Sequence, residues 1–495
     1  MTEFLRNALA VVAIVAWCAW VFGLYWRQRR ARPAAPLDGA ALVAYASQGG
    51  TAEALARQRA ELLGADGEVQ LLPLSGVSRE TLLSARRALF VVSTYGEGEP
   101  PDNGRRFARI YLGSAGSQSL DLSHLSYSVV ALGDRAYANF CAFGQRVHDG
   151  LAAMGARALE PLERIDSGIA DGMPAVPSIR DDDRAQPGAQ YWQLVDRQLL
   201  NPGSPGNPLY RIVLRACGPL PLWRAGDIFV VRPRLARQQV EQWLVRHGLD
   251  GTTRITVAGR SQTLVDWLGE RQLSDRLDDA RVLLSADDIA GWPLLPEREY
   301  SVASCPEEGR LVLLVRQQLD EQGNPGLGSG WLTRYAVIGD FVAGRIRNNA
   351  SCRTPDHGRP LLLIGAGSGL AGLRAQLAER ALHGSPGRAW LIIGERSPES
   401  DCQLVDEIAA WKEAGIIARC DRAFSRGTDD ARYVQHILTS NADEVRSFLS
   451  RGADIYVCGS MAGMGEGVHE VLQFLLGDDT VEQLIEAGRY RRDLY

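Results

Sequence analysis

The sequence predicts an α/β chain of 495 residues in which two parallel-sheet domains flank an antiparallel, barrel-like one, all behind an apolar N-terminal helix. Three observations carry this. Short apolar runs alternate with longer helical patterns over 41–134 and again from Pro360 to the end, the pattern of strands and helices wound into a parallel sheet. Between them, from Leu209 to about Arg347, strand-like runs sit between turns with little helix. Ahead of everything, an almost unbroken apolar run from Ala8 to Trp26 approaches the ~20 residues a helix needs to cross a bilayer.

In chain order, the apolar run carries Trp17, Trp20, Tyr25 and Trp26 and is followed at once by Arg27, Arg29, Arg30 and Arg32. Positive residues stay cytoplasmic, so the expectation is a single-pass membrane anchor with the catalytic domains on the cytoplasmic side. A Pro/Ala-rich stretch over 31–40 completes an anchor-and-linker region, 1–36. In the next region, 37–200, ALVAYAS (41–47), ALFVVST (88–94) and SYSVVALGD (126–134) read as buried strands, and 51–63 as a helix. The charged and Gly/Pro-rich segments 181–188 and 201–208 read as linker or loop. The third region, 201–350, holds the strand-like LYRIVLRAC, GDIFVVRP, RITVAG and RLVLLVRQQ, with a short helix over 240–249. The fourth, 351–495, returns to the alternating pattern with LLLIGAG, AWLIIGE, IIARCDRAF and ADIYVCGS as strands.

Composition narrows the function. A net charge of −5 argues against a nucleic-acid partner. The 8 cysteines form no C-x-x-C pair and read as free thiols, and the 7 histidines form no H-E-x-x-H, so no metal site is expected.

Three loops after strands carry the chemistry of the 37–200 region. Ser47, Gln48, Gly49, Gly50 and Thr51 join a strand to a helix, where backbone N–H groups and a helix N-terminus can hold a phosphate. Ser93, Thr94, Tyr95 and Gly96 open the second loop. Leu132, Gly133, Asp134, Tyr137, Asn139, Phe140 and Cys141 form the third. In an open α/β sheet such loops surround the ligand crevice at the carboxyl ends of the strands. One phosphate cradle and two aromatic-bearing loops suit a planar ring with a phosphate tail.

These loops resemble flavodoxin, and specifically the FMN domain of the diflavin reductases: S-Q-T-G-x-A, S-T-x-G-E-G-E/D-P and L-G-D-x-x-Y-x-x-F-C elements in that order. The resemblance implies FMN, with Tyr95 and Tyr137 flanking its ring. Gly49 stands where the family has Thr, removing one side-chain hydrogen bond to the phosphate, of order 1–2 kcal/mol. The resemblance continues in EREYSVAS (297–304), an R-x-Y-S element in which Arg298 would pair with the FAD pyrophosphate, Tyr300 pack on the flavin and Ser301 reach its hydride-accepting nitrogen. GLGSGWL (326–332) would bring Gly328 and Ser329 to the FAD phosphate. The turn with Gly365, Gly367, Ser368 and Gly369 resembles the element that takes the NADPH pyrophosphate, with Gly372 in place of the usual Pro. Ser425, Arg426, Tyr433 and Gln435 match the element that reads the 2′-phosphate, with Ala431 where the family has Lys and Arg432 adjacent to it; Arg396 is a second candidate cation. Cys458 would lie beside the nicotinamide, with Ser460 in place of Asp, and the ending RYRRDLY places Asp493 near Ser301 and Cys458 and Tyr495 over the FAD ring.

The family resemblance runs from Leu42 to Tyr495 and thins between about Pro202 and Pro296, leaving little room for the family's connecting domain. It implies an NADPH-dependent oxidoreductase passing electrons through FAD and FMN to a one-electron acceptor: a haem protein, a sulfite-reductase partner or an iron complex. Two alternatives stay open: an FAD-only reductase with loosely held FMN, and a non-catalytic, membrane-tethered flavin- or NADPH-binding module.

Overall fold

The computed structural model describes residues 41–47, 50–64, 68–95, 98–113, 120–133, 139–166, 190–257, 260–273, 291–383, 386–426 and 431–495. They fall into two compact units, the first built on Thr51–Leu132 and Asn139–Arg164 and the second on Ile165–Tyr495.

The first unit is a parallel sheet of β1 (Ala41–Ala46), β2 (Val69–Pro73), β3 (Arg87–Ser93), β4 (Ser126–Gly133) and β5 (Arg157–Ala158), in the order β2-β1-β3-β4-β5; β6 (Glu163–Asp166) also pairs with β4. Strand β1 is buried from Leu42 to Ala46 because the sheet is covered on both faces. Leu42, Ala44 and Ala46 share one core with Phe90, Phe107 and Tyr127. The helix Ala142–Ala153 lies so close to β4 that a Cβ on Gly144 would stand 2.2 Å from that of Ala131. Strand order reverses between β1 and β3, which opens the ligand crevice at their carboxyl ends.

The second unit begins with β7 (Gln190–Leu199), which the sequence did not reveal as a strand. There follow β8 (Leu209–Ala216), β9 (Ile228–Arg232), the antiparallel pair β10 (Arg254–Val257) and β11 (Arg260–Thr263), then β12 (Arg298–Ser301), β13 (Leu311–Arg316) and β14 (Phe341–Arg347). Six of them form an antiparallel sheet in the order β12-β9-β14-β7-β8-β13. Where a barrel was expected, the described residues form this antiparallel sheet, with no full ladder between its end strands β12 and β13. One bridge, Val302 to Leu313, and the bond from Ala303 N to Val312 O at 2.8 Å join them. The next donor in line, Cys305 N, is taken by Glu308 Oε1 at 2.8 Å, at the start of the helical turn Pro306–Glu308.

Strand β13 reads as continuously apolar because each face packs on something different. Leu311, Leu313 and Val315 point into the antiparallel domain's core with Trp192 and Phe229. Val312 and Leu314 pack with Leu361, Leu363, Leu373 and Tyr456 of the following layer. That layer is a parallel sheet of β15 (Leu361–Ala366), β16 (Ala389–Glu395), β17 (Ile417–Phe424), β18 (Asp454–Gly459) and β19 (Tyr490–Leu494), in the order β17-β16-β15-β18-β19. The segment 201–208, read from sequence as linker or loop, is tied to this domain. Buried Asp401 accepts from Asn201 Nδ2 at 3.3 Å, Ser204 Oγ at 2.8 Å and Ser397 N at 3.1 Å.

The expected single-pass membrane placement is corrected. Among the described residues no helix is long and apolar enough to cross a membrane, and the run 8–26 on which the expectation rested lies outside them. An apolar run fixes only how far a helix of those residues would reach.

Candidate active site

Parallel sheets present ligands at the carboxyl ends of their strands, and β15, β16, β17, β18 and β19 run parallel, so those ends share one side. The tightest group gathers around Asp493. Strand β19 runs parallel to β18 with Asp493 opposite Cys458. Ser301, at the end of β12, donates to Asp493 Oδ2 at 2.8 Å. Cys458 Sγ donates to the same oxygen at 3.4 Å, and Tyr456 OH at 3.1 Å. Burial pushes the Asp493 carboxyl up, against the opposing pull of the bonds from Ser301, Cys458 and Tyr456 and of the Arg347 charge. Burial, reinforced by Asp493, holds the Cys458 thiol and the Tyr456 hydroxyl well above their ordinary values, so both are donors rather than anions. The structure thus brings Ser301, Cys458 and Asp493 together. Tyr456 was missed by sequence reasoning, although two residues before Cys458 in a strand means the same face.

Tyr495 has its backbone fixed by N to Gly459 O and from Met461 N to its own O, each 3.1 Å. Its hydroxyl donates to Ser368 Oγ at 2.8 Å, across the Gly-rich turn, and the side chain is otherwise exposed. That turn needs Gly367 at φ +58° and packs tightly: a Cβ on Gly369 would stand 1.9 Å from Cys458 O. Gly372 is equally tight, its Cβ position lying 2.6 Å from Tyr456 OH and 2.8 Å from Cys458 Sγ.

Elsewhere in the same unit, Gly328 brings bare backbone against the R-x-Y-S strand, its Cβ position lying 2.6 Å from Arg298 Cγ and 2.7 Å from Tyr300 OH. Arg298 Nη1 donates to Glu297 O at 2.9 Å, and burial raises the Tyr300 phenol. Ser329 Oγ accepts from Gln318 N at 3.0 Å, which holds its loop. Beyond the ends of β16 and β17, Ser425 Oγ donates to Glu395 O at 3.3 Å, and Arg426 N to Arg396 O at 2.7 Å, bringing these two arginines together. Arg432 N donates to Phe424 O at 2.8 Å. Tyr433 is exposed, and Gln435 Nε2 donates to Gly463 O at 2.7 Å while its Oε1 is shielded without a partner. A shielded amide oxygen, a side-chain-free turn and clustered arginines fit a phosphorylated dinucleotide.

Glu395, at the end of β16, was also missed; its signal is a single charge closing the apolar run AWLIIGE. Burial raises its carboxyl to about 7 from an ordinary 4.5. The folded protein therefore binds this proton more tightly than the unfolded chain, and stability falls as pH rises from 4.5 through about 7. Glu395→Gln is expected to gain on the parent over that window by up to ~3 kcal/mol. Urea unfolding at a series of pH values checks this, and parallel curves for the two proteins would refute it.

In the first unit, Ser47 Oγ accepts from Ala52 N at 3.2 Å and Ser47 N donates to Asn103 Oδ1 at 3.0 Å, while Gly50 turns the chain at φ +88° into the helix Thr51–Gly64. Ser93 Oγ donates to Ala46 O at 3.2 Å, tying β3 to β1. Thr94 N donates to Leu132 O at 2.8 Å and its Oγ1 accepts from Phe143 N at 3.2 Å. Tyr95 is buried and exchanges two 2.9 Å backbone bonds with Glu99. Gly133 ends β4, and the half-buried Phe140 follows the exposed Asn139. Cys141 takes φ +59° and donates from Sγ to Ala131 O at 3.3 Å. The described residues at the carboxyl ends of β1, β3 and β4 are thus held by hydrogen bonds to one another and to neighbouring helices. Gln48, Gly49, Gly96, Asp134 and Tyr137 lie outside the described residues.

A flavodoxin family model matches residues 43–174, and an oxidoreductase NAD-binding domain model matches 363–470. The chain is 26% identical to the sulfite reductase (NADPH) flavoprotein alpha-component of Vibrio vulnificus (strain CMCP6), over 96% of this chain and 93% of the relative. It is 25% identical to the protein of the same name from Bacillus subtilis (strain 168), over 94% of this chain and 90% of the relative. A flavodoxin domain and an oxidoreductase nucleotide-binding domain on one chain define a flavoprotein oxidoreductase. In both matched domains and along nearly its whole length, the chain is similar to flavoproteins of the diflavin reductase type.

Proposed function

We propose that the protein is an NADPH-dependent diflavin oxidoreductase that delivers electrons from NADPH, by way of FAD and FMN, to a one-electron acceptor. The observation that carries this reading is the convergence of Ser301, Cys458 and Tyr456 on one oxygen of buried Asp493. When bound, the flavins supply the chemistry that side chains lack, accepting an electron pair as hydride and releasing electrons one at a time. The residues do the rest. Asp493 supplies negative charge where the nicotinamide ring turns positive, and its three donors fix that charge in place. Ser301 presents its hydroxyl toward the flavin side of the same carboxylate. Cys458, fully buried, excludes water. Ser368, in the Gly-rich turn, must release the Tyr495 hydroxyl for nucleotide to enter. Arg298 pairs with the FAD pyrophosphate, and Arg396 and Arg426 with the nucleotide's 2′-phosphate. The working division is 37–200 for FMN, 201–350 for FAD and 351–495 for NADPH. The relatives' shared name favours a sulfite-reductase partner as acceptor over a haem protein of another kind or an iron complex.

Protein supplied with both flavins is expected to lose its visible flavin absorbance on NADPH addition without air, and to reduce ferricyanide or cytochrome c. Heat-released flavin is expected to contain FAD and FMN in equal amounts. Absorbance that NADPH leaves untouched in flavin-replete protein sinks the reading. FAD without FMN favours the FAD-only alternative that Gly49 suggests.

A further inference from the structure

Beyond Arg396 and Arg426, a third arginine reaches the nucleotide edge of the parallel sheet from outside it. Arg316 is the last residue of β13, in the antiparallel domain. Its Nη1 donates to Asn207 O at 2.8 Å, and its Nη2 lies 3.1 Å from where a Cβ on Gly367 would be. The guanidinium is therefore laid against the bare backbone of the Gly-rich turn. The neighbouring Gly206 seats the second arginine, its Cβ position lying 2.5 Å from Arg396 Nη1. One tied-down loop, 201–208, thus holds two arginines at the same place.

The charges here are unbalanced. Burial, then repulsion from Arg316 and Arg426, holds the Arg396 guanidinium below its ordinary value. Two carboxyls lie close by. Asp401 is occupied by Asn201, Ser204 and the Ser397 amide. Glu395 Oε2 is 3.9 Å from Arg316 Nη2, an ion pair too long for a hydrogen bond. The groups facing Glu395 are Arg316 from β13, Arg422 from β17, its own neighbour Arg396, and Asp401 and Gln403 from the loop after β16. With its amide nitrogen turned inward, Gln403 donates to Glu395 Oε1 at 2.9 Å. Like-charged arginines gathered over a loosely paired, buried carboxyl form a site prepared for an anion.

We propose that Arg316 is a phosphate-binding residue of the nucleotide site, supplied by the antiparallel sheet, and that Glu395 is the carboxyl that takes up a proton when the nucleotide's phosphates arrive. This rests on the NADPH reading above. An arriving phosphate draws on the Arg316 charge that Glu395 shared and adds negative charge beside it. Both changes favour the protonated carboxyl, which gains its proton from solvent at Oε2.

The experiment is calorimetric titration of NADP+ into the flavin-loaded full chain, in two buffers of different ionisation enthalpy near neutral pH. The parent is expected to take up more protons per NADP+ than Glu395→Gln, a difference that cancels titration of the phosphate itself. Arg316→Gln is expected to weaken NADP+ binding by about tenfold or more and to flatten its salt dependence, while Arg316→Lys, which keeps the charge, retains most of it. If Arg316→Gln does not fold, the Glu395→Gln comparison decides. Equal proton uptake by parent and Glu395→Gln, or an affinity unchanged in folded Arg316→Gln, overturns the proposal alone. A parent that binds no NADP+ overturns the oxidoreductase reading together with it.

Discussion

Asp493→Asn is expected to slow NADPH-driven flavin reduction by about a hundredfold or more, as loss of a preorganised charge at a reacting centre does. The carboxylate sits at the end of β19 with three donors on Oδ2, and asparagine has the same shape. An amide oxygen can still accept from Ser301, Tyr456 and Cys458, so the change removes charge rather than packing. Burial opposes ionisation of Asp493, so the variant should melt no lower than the parent. The pH dependence follows from the same shift. A carboxyl raised by burial loses its charge as pH falls through the raised value, so the parent's hydride transfer should decline on the acid side and the variant's should not. Stopped-flow flavin reduction measures both. Chemically reduced Asp493→Asn should pass electrons to ferricyanide at the parent's rate, placing the defect in hydride transfer. A loss of less than about fivefold would leave Asp493 outside the hydride-transfer machinery.

Gly369→Ala should be the most damaging small substitution in the nucleotide domain. Glycine is not needed here for its conformation, since φ −59° and ψ −18° suit any residue. The obstacle is backbone: an added Cβ would meet Cys458 O at 1.9 Å, Cys458 C at 2.5 Å and Gly459 Cα at 2.7 Å. No rotamer change relieves such contacts, so the helix Leu370–Ala381 would have to move off β18. We expect destabilisation of about 3 kcal/mol, at the upper end for overpacking, and loss of NADP+ affinity, because the phosphate turn moves with the helix. Gly64→Ala is the control, having nothing within 4 Å of its Cβ position. Thermal melts of the two variants that coincide with the parent's would show that the helix yields without cost.

Much of this was legible in the chain. The strands β1, β3, β4, β15, β16 and β18 show as apolar runs because each is covered on both faces. Their terminal loops show because phosphate-binding turns require glycine and small polar residues. What escaped detection has equally physical causes. Strand β7 buries only Trp192 and Leu194 and carries Gln, Asp and Arg among its other residues, so it reads as polar chain. The closing peptide resembled a cap and not a strand, yet Tyr490–Leu494 pairs with Ile455–Gly459 along its whole length. Alternation reveals which face a strand buries and not how the end strands meet, which here is at the Val302 to Leu313 bridge. The anchor reading relied on an apolar run, its aromatic residues and the arginines after it, all of them outside the described residues.

The sequence by itself determined which residues could form phosphate turns and buried strands, because glycine, proline and runs of apolar residues act through their immediate neighbours. Tertiary structure decided which distant residues share a proton or a charge. Ser301 and Asp493 are 192 positions apart and meet at 2.8 Å. Arg316 reaches a turn that belongs to another sheet. Coulombic and hydrogen-bonding terms depend on distance in space, and only the packing of β12, β13, β18 and β19 sets those distances.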